Sequence, residues 1–286
     1  MRSQQTEMDV QLTARALWVI ERNFGNDLTL STIAESCGVS QFHLAHAFGA
    51  ATGKSVMSYV RGRRLTEAAR ALANGAPDIL SVALESGYAS HEAFTRAFRE
   101  QFGVTPETVK RNGSLAGLSL VQPMELTEGK PAMLEEPKII SRGAMIFTGL
   151  VERQAFDAPH LIPLQWQKFM AMYGLIDKKV SEIPVGLSFN LDDEGTFDYA
   201  CAVEVARDAD VPKGLQRITV APQTYAVFEH RAHVALLSNT YREIWNSWLT
   251  DRNKVAADAP SLERHKETFD PRTGEGGIDI WIPIII

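Results

Sequence analysis

Cysteine is nearly absent: the 286 residues hold two, Cys37 and Cys201, far apart and outside any metal-ligand spacing. That excludes a disulfide framework or a cysteine-based zinc site, and it fits a reducing cytoplasm, the location expected for this chain. No apolar run approaches the roughly 20 residues that span a bilayer, and the opening MRSQQTEMDV carries no apolar signal core. No membrane partner is therefore expected. No phosphate-binding loop, dinucleotide fingerprint or nucleophile elbow is found. His160, His230, His233 and His265 show no ligand spacing. No metal, cofactor or catalytic residue is assigned, and the chain is not expected to be an enzyme. An excess of positive charge is missing too: 29 Lys and Arg stand against 35 Asp and Glu, a net charge of −6. A wholesale polyanion binder is excluded.

The charge is uneven, however. Residues 1–112 hold 12 Lys and Arg against 11 Asp and Glu, whereas the remainder has 17 against 24. Within the first part the basic residues bunch at Lys54, Arg61, Arg63, Arg64 and Arg70, then at Arg96, Arg99, Lys110 and Arg111. A local basic face on a near-neutral domain suits moderate DNA affinity. The stretch Ile79 to Pro106 reads as two short helices meeting at Gly87, which is free to take a positive φ in a tight turn. Ser90 is a ready N-cap, and Phe94, Ala97 and Phe98 give the second helix an apolar face. His91, Glu92, Thr95, Arg96 and Arg99 are left to reach base edges and phosphates.

The same unit occurs earlier. Ile33, Ala34 and Gly38 match Val82, Ala83 and Gly87 at a constant offset of 49, and Ser40, Leu44, Phe48 and Gly53 match Ser90, Phe94, Phe98 and Gly103 one residue further on. Lys54 to Leu72 reads as a rigid helix between the two units, and a helix from about Asp9 to Phe24 precedes them. In the first reader the exposed positions are Gln41, Phe42, Ala45, His46 and Gly49, which offer guanine less than Arg96 and Arg99 do. Arg61 and Arg111 are the candidate phosphate contacts. With its Gly87-Tyr88, Phe94, Phe98, Gly103 and Thr105-Pro106 signature, the duplicated motif resembles the AraC/XylS family of bacterial transcription regulators. The resemblance implies an all-α double helix-turn-helix over residues 1–112, with double-stranded promoter DNA and RNA polymerase as partners. Val109-Lys110-Arg111 departs from the family's aromatic at this point and leaves the packing of the last helix open.

Residues 113–131, rich in Gly, Ser and Pro, read as a linker whose isolated apolar residues can dock on either side. Beyond it, over residues 132–286, the pattern is strand, helix, strand, strand, given twice: strands at 139–151, 185–190 and 197–205 with a helix at 159–173, then strands at 223–230, 261–266 and 278–284 with a helix at 234–250. This suggests duplicated βαββ units sharing one sheet. Thr224 to Phe228, Trp245 to Leu249, Leu262 to His265 and Ile280 to Ile284 look like the GyrI-like effector-binding domain. That resemblance implies an α+β fold, a small-molecule effector, and a carboxylate at Glu263 pointing into a cleft.

Phe147, Trp166, Tyr199, Tyr225, Trp245, Trp248 and Trp281 are the aromatic candidates for the cleft walls. A carboxylate ringed by aromatic faces attracts an organic cation through charge, cation–π attraction and apolar burial together. The plainer alternative pairs Glu263 with Arg264 or Lys266 on an exposed strand and makes the aromatics core. Glu204 is a second carboxylate that can share the cleft. Two other functions stay open at this point: hydrolysis, with Glu263 and Tyr225 as base and acid, and a protein-interaction module.

Overall fold

The computed structural model describes residues 12–25, 27–124, 134–250 and 254–285. Its helices are α1 (Leu12–Asn23), α2 (Leu30–Cys37), α3 (Gln41–Thr52), α4 (Val56–Ala73), α5 (Ile79–Glu85), α6 (His91–Phe102) and α7 (Pro106–Asn112). The expected start of α1 at Asp9 lies outside the described residues. The chain divides into two compact units, one drawn from residues up to 41 and from 56 to 127, the other from 42–55 and from 128 onward.

In the first unit, local residues set the helix ends. Thr29 closes a capping box with Thr32 at the start of α2. Asp78, Ser90 and Thr105 each accept a backbone N–H at the starts of α5, α6 and α7. Gly87 takes φ 81° in the turn between α5 and α6. The core joins Leu65, Ala69 and Leu72 of α4 to Val82 and Ala83 of α5, to Phe94, Phe98 and Phe102 of α6, and to Val109 of α7. Val109 is buried, so the last helix packs without the family's aromatic.

The described part of the linker is not free. Leu115, Leu118 and Leu120 pack on this same core. The Val121 N–H donates to Thr66 Oγ1 at 2.9 Å and the Met124 N–H to Tyr59 Oη at 3.0 Å. Residues 125–131 of the expected linker lie outside the described residues.

The second unit is built on one antiparallel sheet. Its elements are β1 (Lys138–Arg142), β2 (Met145–Ala155), α8 (Ile162–Met172), β3 (Val185–Phe189), β4 (Thr196–Glu204), β5 (Gln216–Val220), β6 (Gln223–His230), α9 (Leu237–Asn246), β7 (Val255–Ala256), β8 (Ser261–His265) and β9 (Ile278–Ile285). The order across the sheet is β1-β6-β9-β8-β3-β4-β2-β5, with β7 on β9. The triplets β2-β4-β3 and β6-β9-β8 are the two βαββ repeats, and they meet where β3 pairs with β8. The strand expected over 139–151 breaks at Gly143 into two. β1 runs along β6 and β2 along β4. β5 and β7 are additions, short strands at or near the sheet margins that no long alternation announces.

Strand alternation gives the sheet two different faces. One gathers Phe147, Leu187, Ala202, Tyr225, Leu262 and Trp281 into a core of its own. The other carries Tyr199, Cys201 and Val203 against Phe169 and Trp166 of α8. Glu263 stands opposite Gly186, and Gly186 opposite Cys201, which puts the Glu263 side chain on the helix-covered face.

Candidate functional site

On α6, burial of Phe94, Phe98 and Phe102 leaves Glu92, Arg96 and Arg99 exposed on the opposite side. They recur at three- and four-residue spacing, the footprint of one helix face. One expected reader is engaged elsewhere and another is turned in. His91 Nε2 lies 3.2 Å from Glu107 Oε1 of α7, and the Thr95 hydroxyl oxygen is buried, with no partner among the described residues. Arg61 and Arg111 are exposed. Arg63, counted in the basic cluster, turns inward and is 3% exposed.

The first reader departs from expectation. Gln41 is exposed, but Ala45 and Gly49 are buried and Phe42 and His46 half-buried. The second unit accounts for this, since α3 folds with it. The His46 ring stacks on Trp245 of α9, with centroids 4.4 Å apart and planes at 23°. Phe42 meets the same indole edge-on at 5.8 Å. His43 Nε2 lies 2.7 Å from the Trp245 carbonyl, and Asn246 Nδ2 donates to the Ala47 carbonyl at 3.0 Å. Burial holds His46 down to about 4, against a backbone hydrogen bond to Phe42 that favours its charged form. Trp245 is therefore a partner of α3 and is not a wall around Glu263.

Around Glu263 the arrangement is compact. Tyr199 Oη donates to Glu263 Oε2 at 2.7 Å, and Tyr241 Oη donates to Oε1 at 2.9 Å. Trp166 Nε1 in turn donates to Tyr199 Oη at 3.3 Å. Burial raises the carboxyl above the ordinary carboxylate range, while the two phenol hydrogen bonds pull it back. Both tyrosines are raised well above their ordinary values by burial first and by the Glu263 charge second, so they stay protonated donors. His265, two residues along β8, stacks on Phe269 at 4.2 Å and meets Trp166 at 5.0 Å. Burial alone holds it at about 4, so it is a neutral ring at physiological pH.

Of the expected aromatics, then, Trp166 and Tyr199 surround the carboxylate. Phe147, Tyr225 and Trp281 lie on the opposite face of the sheet, because the register places them in line with Leu262 and Leu187. Trp248 packs edge-on against Phe228. Glu204 shares that opposite face and pairs with Arg264 at 2.9 Å. Tyr241, His265 and Phe269 join the group without being among the expected residues. Period-two alternation along β8 places His265 beside Glu263, and that signal was legible. Tyr241 rests on the pose of α9, for which no local signal exists.

Gly186 shows how tightly the group is built. A β-carbon there would lie 2.3 Å from Tyr199 Oη and 3.0 Å from Glu263 Oε2. Gly186→Ala is expected to expel one tyrosine from the carboxylate, at an overpacking cost of about 1–3 kcal/mol. A thermal melt and the spacing of the Tyr199 hydroxyl in a crystal structure would check it. An unshifted melt with an intact triad would contradict the expectation.

Two domain families match this chain. Residues 33–112 match a helix-turn-helix domain, and residues 135–285 match the GyrI-like small molecule binding domain. Similar proteins include the transcriptional regulator Rob of Salmonella typhimurium, 24% identical over 94% of this chain and 95% of its own length. The right origin-binding protein of Escherichia coli is 25% identical over the same shares. The probable transcription factor PqrA of Proteus vulgaris is 38% identical over 34% of this chain and 77% of its own. Among the described residues no helix is long and apolar enough to cross a membrane.

Proposed function

Because this chain belongs to the family of GyrI-like small molecule binding domains, we propose that it is a one-component transcription regulator: a helix-turn-helix reader of promoter DNA whose C-terminal domain senses an amphipathic organic cation. RNA polymerase is the partner that such a promoter-bound regulator addresses. The observation that carries the ligand class is the half-buried Glu263 carboxylate, held by two phenol hydroxyls, one of which accepts from Trp166. Two donors orient the carboxylate without neutralising it. Aromatic faces beside it favour a cation too poorly hydrated to stay in water.

DNA reading is assigned to the exposed face of α6. Arg96→Ala is expected to cost about 1–3 kcal/mol and to relax specificity at one base pair. Arg61→Ala and Arg111→Ala are expected to weaken all sequences alike and to flatten the salt dependence by about one unit of slope. Selection from a random duplex pool, followed by titration at several salt concentrations, measures both. If Arg96→Ala weakens every sequence equally, Arg96 is a phosphate contact and the reading face is misassigned. Cleavage of an ester-bearing organic cation to its acid and alcohol, in place of reversible binding, would replace sensing by hydrolysis.

A further inference from the structure

The face that α3 would offer to DNA is already occupied. Phe42, His43 and His46, spread over one turn of α3, all meet Trp245 or its carbonyl. Asn246 adds a buried hydrogen bond to the Ala47 carbonyl. Gly49 continues the same face one turn on, where a β-carbon would meet the Phe156 ring at 2.5 Å. The contact is thus aromatic at its centre, hydrogen-bonded beside it, and close enough at its end to need a glycine. Tyr241, which holds Glu263, lies one turn before Trp245 on the same helix. Residues four apart on a helix share a side, so α9 carries both contacts as one rigid piece.

We infer that α9 is a docking surface for α3, that DNA competes with α9 for Phe42, Ala45 and His46, and that an effector at Glu263 sets the outcome. The inference rests on the reading of Glu263 as the effector carboxylate. A cation there takes over the charge that Tyr241 Oη now satisfies and weakens the tie that fixes α9. Trp245 moves with α9, and α3 becomes available to DNA. Reciprocity follows: DNA that captures α3 favours the released form, and so tightens effector binding by the same factor. Without effector, base reading is left to the exposed face of α6.

The test uses the full chain and the duplex that the wild type selects from a random pool in the presence of the cation. Gly49→Ala adds a methyl where α3 meets Phe156. Phe156→Ala removes the half-buried ring from the other side and leaves α3 unaltered. Each should bind the duplex more tightly without effector, by about tenfold if docking holds α3 back in nine molecules of ten. Each should also respond less to 4-biphenylyltrimethylammonium than the wild type does. Unchanged affinity in Phe156→Ala, with circular dichroism showing a folded chain, would overturn the inference. So would a wild type whose α3 amides are no less protected from hydrogen exchange once the cation is bound. If calorimetry shows no cation binding at all, the effector assignment fails. The masking of α3 then still stands or falls on the ligand-free affinities of the two variants.

Discussion

Glu263→Gln is expected to remove about tenfold to a hundredfold of the affinity for 4-biphenylyltrimethylammonium, and to leave binding of its neutral isostere 4-tert-butylbiphenyl nearly unchanged. The substitution keeps the shape of the side chain but deletes the charge that Tyr199 and Tyr241 orient at 2.7 and 2.9 Å. A contact to a charged group contributes about 1.5–3 kcal/mol, which sets the expected loss. Wild-type affinity should also depend on pH. Burial raises the Glu263 carboxyl, so cation binding falls as pH drops through that raised value and the group protonates. Stability of the ligand-free protein runs the other way. Between the ordinary and the raised carboxyl value, the folded chain keeps a proton that the unfolded chain has released, so stability falls as pH rises through that window. In Glu263→Gln both dependences should flatten. Calorimetry with the matched pair at several pH values is the measurement. Equal losses for both ligands would mean that the charge is not the determinant.

Arg63→Met is expected to cost about 1.5–3 kcal/mol, the contribution of hydrogen bonds to charged groups, since the half-exposed Glu21 keeps Tyr59 and Glu67 keeps Arg70. Arg63 Nε and Nη2 bond the Glu21 carboxylate at 3.0 and 3.1 Å, while Nη1 reaches Glu67 at 3.1 Å and the Val121 carbonyl at 2.9 Å. Tyr59 Oη donates to the same Glu21 carboxylate at 2.6 Å. One guanidinium thus ties α1, α4 and the chain beyond α7 together. Arg63→Met/Glu21→Leu should recover part of the loss, since the carboxylate that Arg63 served is then gone. Urea unfolding of the full chain would show both effects in the transition of the first unit. Arg63→Met should leave the salt slope of DNA binding where it was, unlike Arg61→Ala. A slope reduced by about one unit would return Arg63 to the DNA face.

The contrast between Arg61 and Arg63 shows what a sequence can disclose. Both stand in one basic run, and only the packing of α4 against α1 decides which faces water. Caps and turns are different, because their cause is local. Ser90 marks its position by side-chain hydrogen bonding and Gly87 by a positive φ, and both act as expected. Most strand runs and both helices of the second unit are legible for a related reason: their periodicity is carried in the segment itself. Register is not. Whether Phe147, Tyr225 and Trp281 share a face with Glu263 depends on pairings between residues 19 to 58 apart in the chain, and a shift of one residue would reverse the answer. Ala45 and His46 were misread for a similar cause. An amphipathic pattern tells which side of a helix is polar enough to face water, but not what a distant Trp245 will cover.

Regulation depends on one link, from the Glu263 carboxylate to DNA. It is tested most directly by titrating the cation into the full chain bound to its selected duplex, for wild type and Glu263→Gln side by side. The predicted result is a change in wild-type DNA affinity that saturates with the cation and is missing from Glu263→Gln, whose affinity stays at the ligand-free value. A wild type that binds the cation with no change in DNA affinity, or a Glu263→Gln chain that responds as the wild type does, would contradict it.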